Sequence, residues 1–251
     1  MAFELLVIGM ASGALGALLG VGGGVILVPA LSLLAGLELR AAVGTSLVAV
    51  VATSVAGSVV YLRQGLVDVP VAVELQFFAA FGAVGAGLLA PLVPEPPLYF
   101  LFALLLLFTA SRMWPKRPPA NAVDEPVVRH RHLVGAGASL SAGIVAGLLG
   151  VGGGILNTPL LHLIFALPFR QAAATSVYII GITGCGAAMI YLIRGDVGVG
   201  IAAVTMLGAM IGAGGVALVG HRVRQRTLVV GFSLLLVFVA IQMVRRGIAS
   251  I

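Results

Sequence analysis

Long apolar runs separated by short polar breaks extend from one end of the chain to the other. The apolar runs cover residues 5–35, 41–62, 69–93, 97–114, 133–167, 171–193, 197–220 and 227–244. A helix needs about 20 apolar residues to cross the hydrocarbon core of a bilayer. Six of these runs fit one span each. The pattern therefore predicts an all-α polytopic membrane protein with about eight hydrophobic segments.

The first and fifth runs are longer than one span requires. Both contain the sequence GVGGG, at residues 20–24 and 150–154, and a proline follows five residues later, Pro29 or Pro159. Each glycine in a helix interior costs about 1 kcal/mol relative to alanine. We therefore expect Gly-broken or re-entrant helices in segments 1 and 5.

The two halves of the chain repeat each other at a constant offset. Residues 13–65 align without a gap on residues 143–195, with 20 identities in 53 pairs, and both glycine clusters and both prolines fall in this frame. Such self-similarity indicates an internally duplicated helical bundle. We expect a first membrane repeat at 1–114, a cytoplasmic linker at 115–132 and a second membrane repeat at 133–251.

The relative orientation of the halves depends on whether each glycine segment crosses the membrane. Lys and Arg concentrate in cytoplasmic loops, and the linker region is rich in both, so we place it inside. If the glycine segments do not cross the membrane, the halves are inverted, and ten basic residues lie on the cytoplasmic side and four on the other side. If each glycine segment crosses once, the halves are parallel, and the corresponding numbers are nine and five. We favour an inverted repeat because Arg222, Arg224 and Arg226 form a dense positive cluster, whereas the equivalent segment 91–97 has no basic residue.

The composition agrees with a membrane location. The chain is 61% hydrophobic and 9% charged, with a mean hydropathy of +1.20, whereas soluble domains carry roughly 25% charged residues. The net charge of +6 then describes membrane orientation, since no aromatic and basic residues interleave as they do in nucleic-acid binding proteins. The single cysteine, Cys185, excludes an intramolecular disulfide and a Cys-based metal site, and we expect no cofactor.

The two glycine breaks are candidate substrate-binding segments. Non-helical backbone at membrane depth survives only against protein or a water-filled cavity, and glycine lets backbone N–H groups approach a ligand closely. A helix that begins just after a break would direct its N-terminal N–H groups to the same place, which suits an anion. The alternative is that the glycines only permit close helix packing. The candidate binding residues are Gly22, Gly23, Gly24, Gly152, Gly153 and Gly154.

Polar side chains near the breaks extend the candidate site. The threonine–serine pairs either donate to an oxyanion or bond back to the preceding helical turn. Asn157 replaces Leu27 of the first half, and we favour a site role because a lone Asn in an apolar run is costly without a partner. The arginines either attract anions at the cavity mouths or extend to lipid headgroups. The candidates are Asn157, Thr158, Thr45, Ser46, Thr175, Ser176, Arg40 and Arg170.

Four other residues have less specific interpretations. Glu74 is either an interfacial acid, which we favour, or a proton-coupling carboxylate. His162 is either a structural histidine, which is the commoner case, or a lining residue of the same cavity. Tyr61 and Tyr191 end their apolar segments and are typical of aromatic residues at a membrane interface.

The motifs in combination resemble the TauE/SafE family of membrane proteins, the sulfite exporter family. In each half GVGGG is followed by proline five residues on and then by A-x-x-T-S, at residues 42–46 and 172–176. The resemblance covers nearly the whole chain. It implies a transporter of sulfur-containing anions such as sulfite, sulfoacetate and other organosulfonates.

From this resemblance we expect a secondary transporter that moves a small sulfur-containing anion across the cytoplasmic membrane by alternating access. A passive anion channel is the alternative. An enzyme is disfavoured because Asp68, Asp124 and Asp196 lie at segment ends or in the linker, and no catalytic cluster lies at membrane depth. The expected partners are the anion, the lipid bilayer, a coupling ion (proton or sodium) and a second copy of the chain in a homodimer, but no nucleic acid.

Overall fold

The computed structural model describes residues 2–113, 131–219 and 225–249, which are helical apart from short connections and contain no β-strand. Most of the predicted linker, together with Arg222 and Arg224, lies outside these ranges, and residues 131–132 already belong to α6. The prediction of an all-α protein is confirmed for the described residues. The helices are α1 (Ala2–Leu19), α2 (Gly24–Leu34), α3 (Leu39–Arg63), α4 (Val69–Leu89), α5 (Glu95–Met113), α6 (Arg131–Leu149), α7 (Gly154–Leu163), α8 (Phe169–Ile193), α9 (Val199–Val219) and α10 (Gln225–Ala249), with a 3-10 turn at Ala90–Leu92.

Six helices of the described residues are long and apolar enough to cross a membrane, namely α1, α3, α4, α6, α8 and α9. Helices α2 and α7 have 11 and 10 residues, which is too short, and the apolar part of α5, Glu95–Ser111, is also short for a span. The eight predicted segments therefore do not become eight spans. The first and fifth segments each divide into one long and one short helix, because the glycine cluster interrupts them.

Helix boundaries follow the same constant offset between the halves that the sequence shows. The short helices α2 and α7 begin at Gly24 and Gly154, and α3 and α8 each run for 25 residues. The glycine break, the proline and the polar turn recur in the same order in each half, so each half produces the same five helices in the same order.

The helices form two compact units, and each unit contains helices from both halves of the sequence. One unit comprises Met1–Ala90 with Pro126–Gly220 and holds α1–α4 and α6–α9. The other comprises Pro91–Glu125 with His221–Ile251 and holds α5 and α10, which pack along each other. A compact unit is therefore not the same thing as a sequence half.

In the larger unit the first helix of each half packs on the fourth helix of the other half. Helix α1 lies against α9, and α6 lies against α4. A Cβ added to Gly13 would overlap the backbone of Ala209, and one added to Gly143 would overlap the backbone of Ala79. Small residues let membrane helices approach this closely, and the resulting packing supplies much of their association.

Helices α3 and α8 pack against each other and hold the ends of α1 and α6. The Tyr61 hydroxyl donates to the Ala17 carbonyl at 3.0 Å, and the Tyr191 hydroxyl donates to the Gly147 carbonyl at 2.9 Å. Both tyrosines are buried. Their interpretation as membrane-interface residues was therefore wrong, because each side chain is buried and its hydroxyl bonds to a carbonyl in the last turn of a neighbouring helix.

Candidate functional site

Each break is a tight turn that only glycine forms easily. L side chains rarely adopt a positive φ, so these positions favour glycine whatever space surrounds them. In the first break the Gly16 carbonyl accepts from Val21 N at 2.9 Å and Gly22 N at 3.2 Å, which ends α1. Three glycines in each break have positive φ: Gly20 (72°), Gly22 (81°), Gly23 (83°), Gly150 (71°), Gly152 (76°) and Gly153 (77°).

After the first break the chain folds back along α1. Ser12 Oγ donates to the Gly23 carbonyl at 2.8 Å, and a Cβ on Gly16 would overlap the backbone of Gly22 and Gly23. Helix α2 therefore starts beside the body of α1 rather than beyond its end. The chain reversal is a property of the backbone, and re-entry of this segment into a membrane stays a prediction.

The two breaks lie directly against each other. A Cβ on Gly24 would overlap the Gly150 carbonyl oxygen, and a Cβ on Gly154 would overlap the Gly20 carbonyl oxygen. The Cβ positions of the middle glycines both face the side chains of Val50 and Ile180, which are buried. The six candidate glycines are thus brought together, and in this conformation they also pack closely, as the alternative interpretation expects.

Three hydroxyls brace the breaks across the two halves. Ser46 Oγ donates to the Gly150 carbonyl at 3.0 Å, and Ser176 Oγ donates to the Gly20 carbonyl at 2.7 Å. Thr158 Oγ1 donates to the same Gly20 carbonyl at 3.0 Å. These three candidate donors are therefore committed to backbone carbonyls in this conformation.

The other two candidate threonines, Thr45 and Thr175, bind the turns that precede α4 and α9. Thr175 Oγ1 accepts from Asp68 N at 3.0 Å, and Thr45 Oγ1 accepts from Gly198 N at 3.3 Å. Asp68 and Gly198 are equivalent positions of the two halves. Each threonine thus connects its own helix to a turn of the other half, next to the serine that braces a break.

The short helices begin with buried N–H groups. The first four N–H groups of any helix have no partner within the helix. Gly24, Val25, Gly154 and Ile155 are buried, and within the described residues their N–H groups have no hydrogen-bond acceptor. Buried N–H groups without a partner are rare in native proteins, so these four indicate a place for a hydrogen-bond acceptor.

Asn157 is fully buried, and neither Oδ1 nor Nδ2 has a hydrogen-bond partner within the described residues. Its equivalent in the first half, Leu27, is an apolar residue that is 1% exposed. Side chains of an α-helix lean towards its N-terminus. The Cα–Cβ bond of Asn157 therefore tilts towards the start of α7, about one helical turn away.

The two candidate arginines do not reach the breaks. Each precedes the bracing serine of its helix by six residues, which is about 9 Å of helix rise. Arg170 is exposed, and its Nη2 donates to Gln64 Oε1 at 3.5 Å, whereas Arg40 is half-buried. Both lie at the start of their helices, so any effect on an anion at the breaks acts over a distance.

Glu74 and His162 also lie away from the breaks. His132 Nδ1 is 2.8 Å from Glu74 Oε2, in a contact between α6 and α4. His162 is exposed, and its Nδ1 lies 2.8 Å from the Leu167 carbonyl oxygen. His162 therefore has the structural role that was the commoner of its two interpretations.

Sequence reasoning missed Ser12, which braces the first break from within. Ser12 lies one residue before the aligned frame begins, and its equivalent is Ala142. It also missed that the Gly20 and Gly150 carbonyls are the acceptors of the serine and threonine hydroxyls. The serines themselves were the available signal, because a hydroxyl recurring at the same offset as the glycines indicates a shared partner.

Paired helix breaks that meet inside an internally repeated helical protein are typical of membrane transporters. Residues 5–243 match the model of the family described as sulfite exporter TauE/SafE. The chain belongs to this family, and it is a multi-pass cell membrane protein.

Several curated relatives are similar over most of the chain. A probable membrane transporter protein of Bacillus subtilis, YunE, is 25% identical over 98% of this chain and 98% of its own length. A probable membrane transporter protein of Xylella fastidiosa is 29% identical over 97% and 94%, and MJ0441 of Methanocaldococcus jannaschii is 26% identical over 75% and 71%. No solved structure matches the chain significantly.

Proposed function

We propose that the protein is a secondary transporter that moves a small sulfur-containing anion, sulfite or an organosulfonate such as sulfoacetate, across the cytoplasmic membrane. The family supports transport and suggests the substrate class. The main observation that supports a binding site is that the two glycine breaks meet at the buried N-terminal ends of α2 and α7. Four N–H groups at these ends lack an acceptor within the described residues.

The electrostatics at the breaks suit an anion. Each helix N-terminus is equivalent to about +0.5 elementary charge. Two such ends supply donors and positive potential without a buried Lys or Arg, which would be costly at membrane depth. An oxyanion bound there would accept from the N–H groups of Gly24, Val25, Gly154 and Ile155.

Alternating access would come from movement of the two duplicated, inverted halves around this site. Val50 and Ile180 lie over the middle glycines, Gly22 and Gly152, in this conformation. Substrate entry therefore requires these two side chains to withdraw. Since one belongs to α3 and the other to α8, a relative displacement of the two helices would uncover the breaks from one side at a time.

The test is transport by the purified protein in liposomes. We expect saturable uptake of labelled sulfite, and acceleration of that uptake when unlabelled sulfite is loaded on the opposite side. Counterflow of this kind is a property of a carrier. Linear, unsaturable flux without counterflow would favour the passive channel instead, and absence of transport for sulfite, thiosulfate and sulfoacetate would contradict the substrate class.

Two matched glycine variants locate the site. Gly153 and Gly195 have the same φ of 77°, so alanine introduces the same backbone strain at both. The Cβ at Gly153 would lie 2.9 Å from the Ala142 carbonyl oxygen at the start of α7, whereas the Cβ at Gly195 would meet nothing within 4 Å. Among folded, monodisperse preparations we expect Gly153→Ala to lose most of the sulfite counterflow and Gly195→Ala to keep it. Equal counterflow by both variants would place the site elsewhere.

A further inference from the structure

The buried amide of Asn157 restricts the chemistry of whatever occupies the breaks. Nδ2 is a donor and Oδ1 is an acceptor, and both are unpaired within the described residues although the residue is 0% exposed. Burying a polar group without a hydrogen bond is costly. An occupant that satisfies this amide must therefore present an acceptor to Nδ2 and a donor to Oδ1.

A fully deprotonated oxyanion meets only half of this requirement. Sulfite, sulfate and thiosulfate dianions carry acceptors alone, and an oxyanion oxygen facing Oδ1 would be repelled by it. Thr158, the neighbouring hydroxyl, already donates to the Gly20 carbonyl. In this conformation no donor among the described residues reaches Oδ1, and the proposal below assigns that donor to the ligand.

The charge at the breaks leads to the same conclusion independently. Two helix N-termini of about +0.5 elementary charge each sum to about +1. Arg40 and Arg170 stand six residues from the bracing serines and add no charge at the breaks themselves. The site therefore balances one negative charge and would leave a dianion partly uncompensated.

We propose that the protein transports its sulfur anion as a monoanion that carries a hydrogen-bond donor, of which hydrogensulfite is the simplest, and that Asn157 selects this form. The proposal rests on the proposed function and specifies the substrate of that same site. Leu27 occupies the equivalent position of the first half, so the selection is made by one helix start and not by both.

The experiment uses two competitors of the same charge and similar size. Sulfamate and methanesulfonate are both monoanions at neutral pH, and they differ in an amino group that donates against a methyl group that does not. In liposomes containing the wild-type protein, we expect sulfamate to inhibit labelled sulfite counterflow at roughly tenfold lower concentration than methanesulfonate, which is the effect of one well-placed hydrogen bond.

Two variants test whether Asn157 is responsible. Asn157→Leu copies the first half, and we expect the two competitors to inhibit this variant equally. As a control, Thr205→Val removes a buried hydroxyl of α9 that donates to the Ile201 carbonyl of its own helix, leaves the amide in place and should keep the preference for sulfamate. A wild-type protein that does not distinguish the competitors, or an Asn157→Leu variant that still does, would overturn the proposal.

A second measurement needs no variant. With equal pH on both sides and constant total sulfite, the initial rate in the wild-type protein should fall as pH rises, in proportion to hydrogensulfite, while the inhibition constant of sulfamate, calculated with hydrogensulfite as the competing substrate, stays the same. A rate that rises with pH overturns the proposal. Absence of any sulfite counterflow in the wild-type protein is a different result, because it contradicts the proposed function itself.

Discussion

At the first break α2 continues with Leu27 and Val28, whereas at the second break α7 continues with Asn157 and Thr158. The backbone is otherwise the same at both, with three positive-φ glycines, a bracing serine from the other half and a short helix that begins at the last glycine. The comparison separates the residues that both turns share from those that only one has. Both turns have the glycines and a bracing serine, and only the second is followed by a polar pair, of which Thr158 donates to the Gly20 carbonyl.

The bracing of the two breaks is also unequal. The Gly20 carbonyl accepts from two hydroxyls, Ser176 and Thr158, while the Gly150 carbonyl accepts from Ser46 alone within the described residues. Ser12 adds a bond to the Gly23 carbonyl, and its equivalent in the second half is Ala142. Within the described residues the carbonyls of the first break therefore accept three side-chain hydrogen bonds and those of the second break accept one.

The largest expected effect is at the contact between the two breaks. Gly24→Ala and Gly154→Ala each place a methyl group onto a carbonyl oxygen of the opposite break. Because backbone must move on both sides, we expect each to lower the free energy of unfolding by about 4 kcal/mol or more. Unfolding in detergent micelles with increasing denaturant measures this loss.

Gly85→Ala and Gly215→Ala are the matched controls. They are equivalent positions inside α4 and α9, and an added Cβ meets nothing within 4 Å at either. Replacing glycine by alanine in a helix interior should stabilise the protein slightly, by up to about 1 kcal/mol. If the variants at the breaks are as stable as these controls, the breaks do not meet as described.

The next largest loss of stability is expected when Leu27, beside the first break, is replaced by the asparagine found at the equivalent position beside the second break. Leu27 is 1% exposed, so Leu27→Asn buries an amide where the chain provides an apolar contact. We expect a loss of about 3 kcal/mol in the free energy of unfolding, from the unpaired amide and the lost packing. Leu27→Met, which keeps the volume and the apolar character, should cost less than about 1.5 kcal/mol. If Leu27→Asn costs no more than Leu27→Met, a buried amide next to a break needs no ligand to explain it.

The unequal bracing predicts an unequal response to loss of the serines. Ser46→Ala leaves the buried Gly150 carbonyl without its hydroxyl donor, and we expect it to cost about 2 kcal/mol. Ser176→Ala leaves the Gly20 carbonyl bonded to Thr158, and about 1 kcal/mol is expected. Thermal unfolding of both variants checks the order. In the Thr158→Val background the loss from Ser176→Ala should rise to that of Ser46→Ala.

The smallest loss of stability is expected at two equivalent tyrosines, where the two halves form the same hydrogen bond. Tyr61→Phe and Tyr191→Phe each remove one hydrogen bond, to the Ala17 and Gly147 carbonyls, at nearly the same distance. We expect each to cost about 1 kcal/mol in the free energy of unfolding, and the two losses to agree. A clear difference between them would show that the halves have diverged at the helix ends as well as at position 157.

The positions of the breaks could be predicted because glycine clusters act locally. Three glycines interrupt a helix whatever surrounds them, and the constant offset between the halves could be read directly from the sequence. The partners of Ser46 and Ser176 could not be predicted, because each lies far away along the chain, in the other half. Only the packing of the helices decides which carbonyl a serine reaches.

The burial of Tyr61 and Tyr191 escaped prediction for a related reason. A tyrosine at the end of an apolar run has the same local sequence whether it faces lipid or a neighbouring helix. Its environment depends on where the ends of α1 and α6 lie, and these helices end at glycine clusters much earlier in the chain. Of the eight apolar runs, six contain a helix of the described residues that is long and apolar enough to span a membrane.

The packing of the first helix of each half on the fourth helix of the other half has a consequence for the order in which the contacts form during synthesis. Helix α1 is synthesised before the helix it packs on, α9, and helices α2–α8 lie between them in the chain. During translation Gly9 and Gly13 of α1 therefore lack their packing partner until α9 has been made. A truncated product that stops before α9 would leave these glycines without their packing partner.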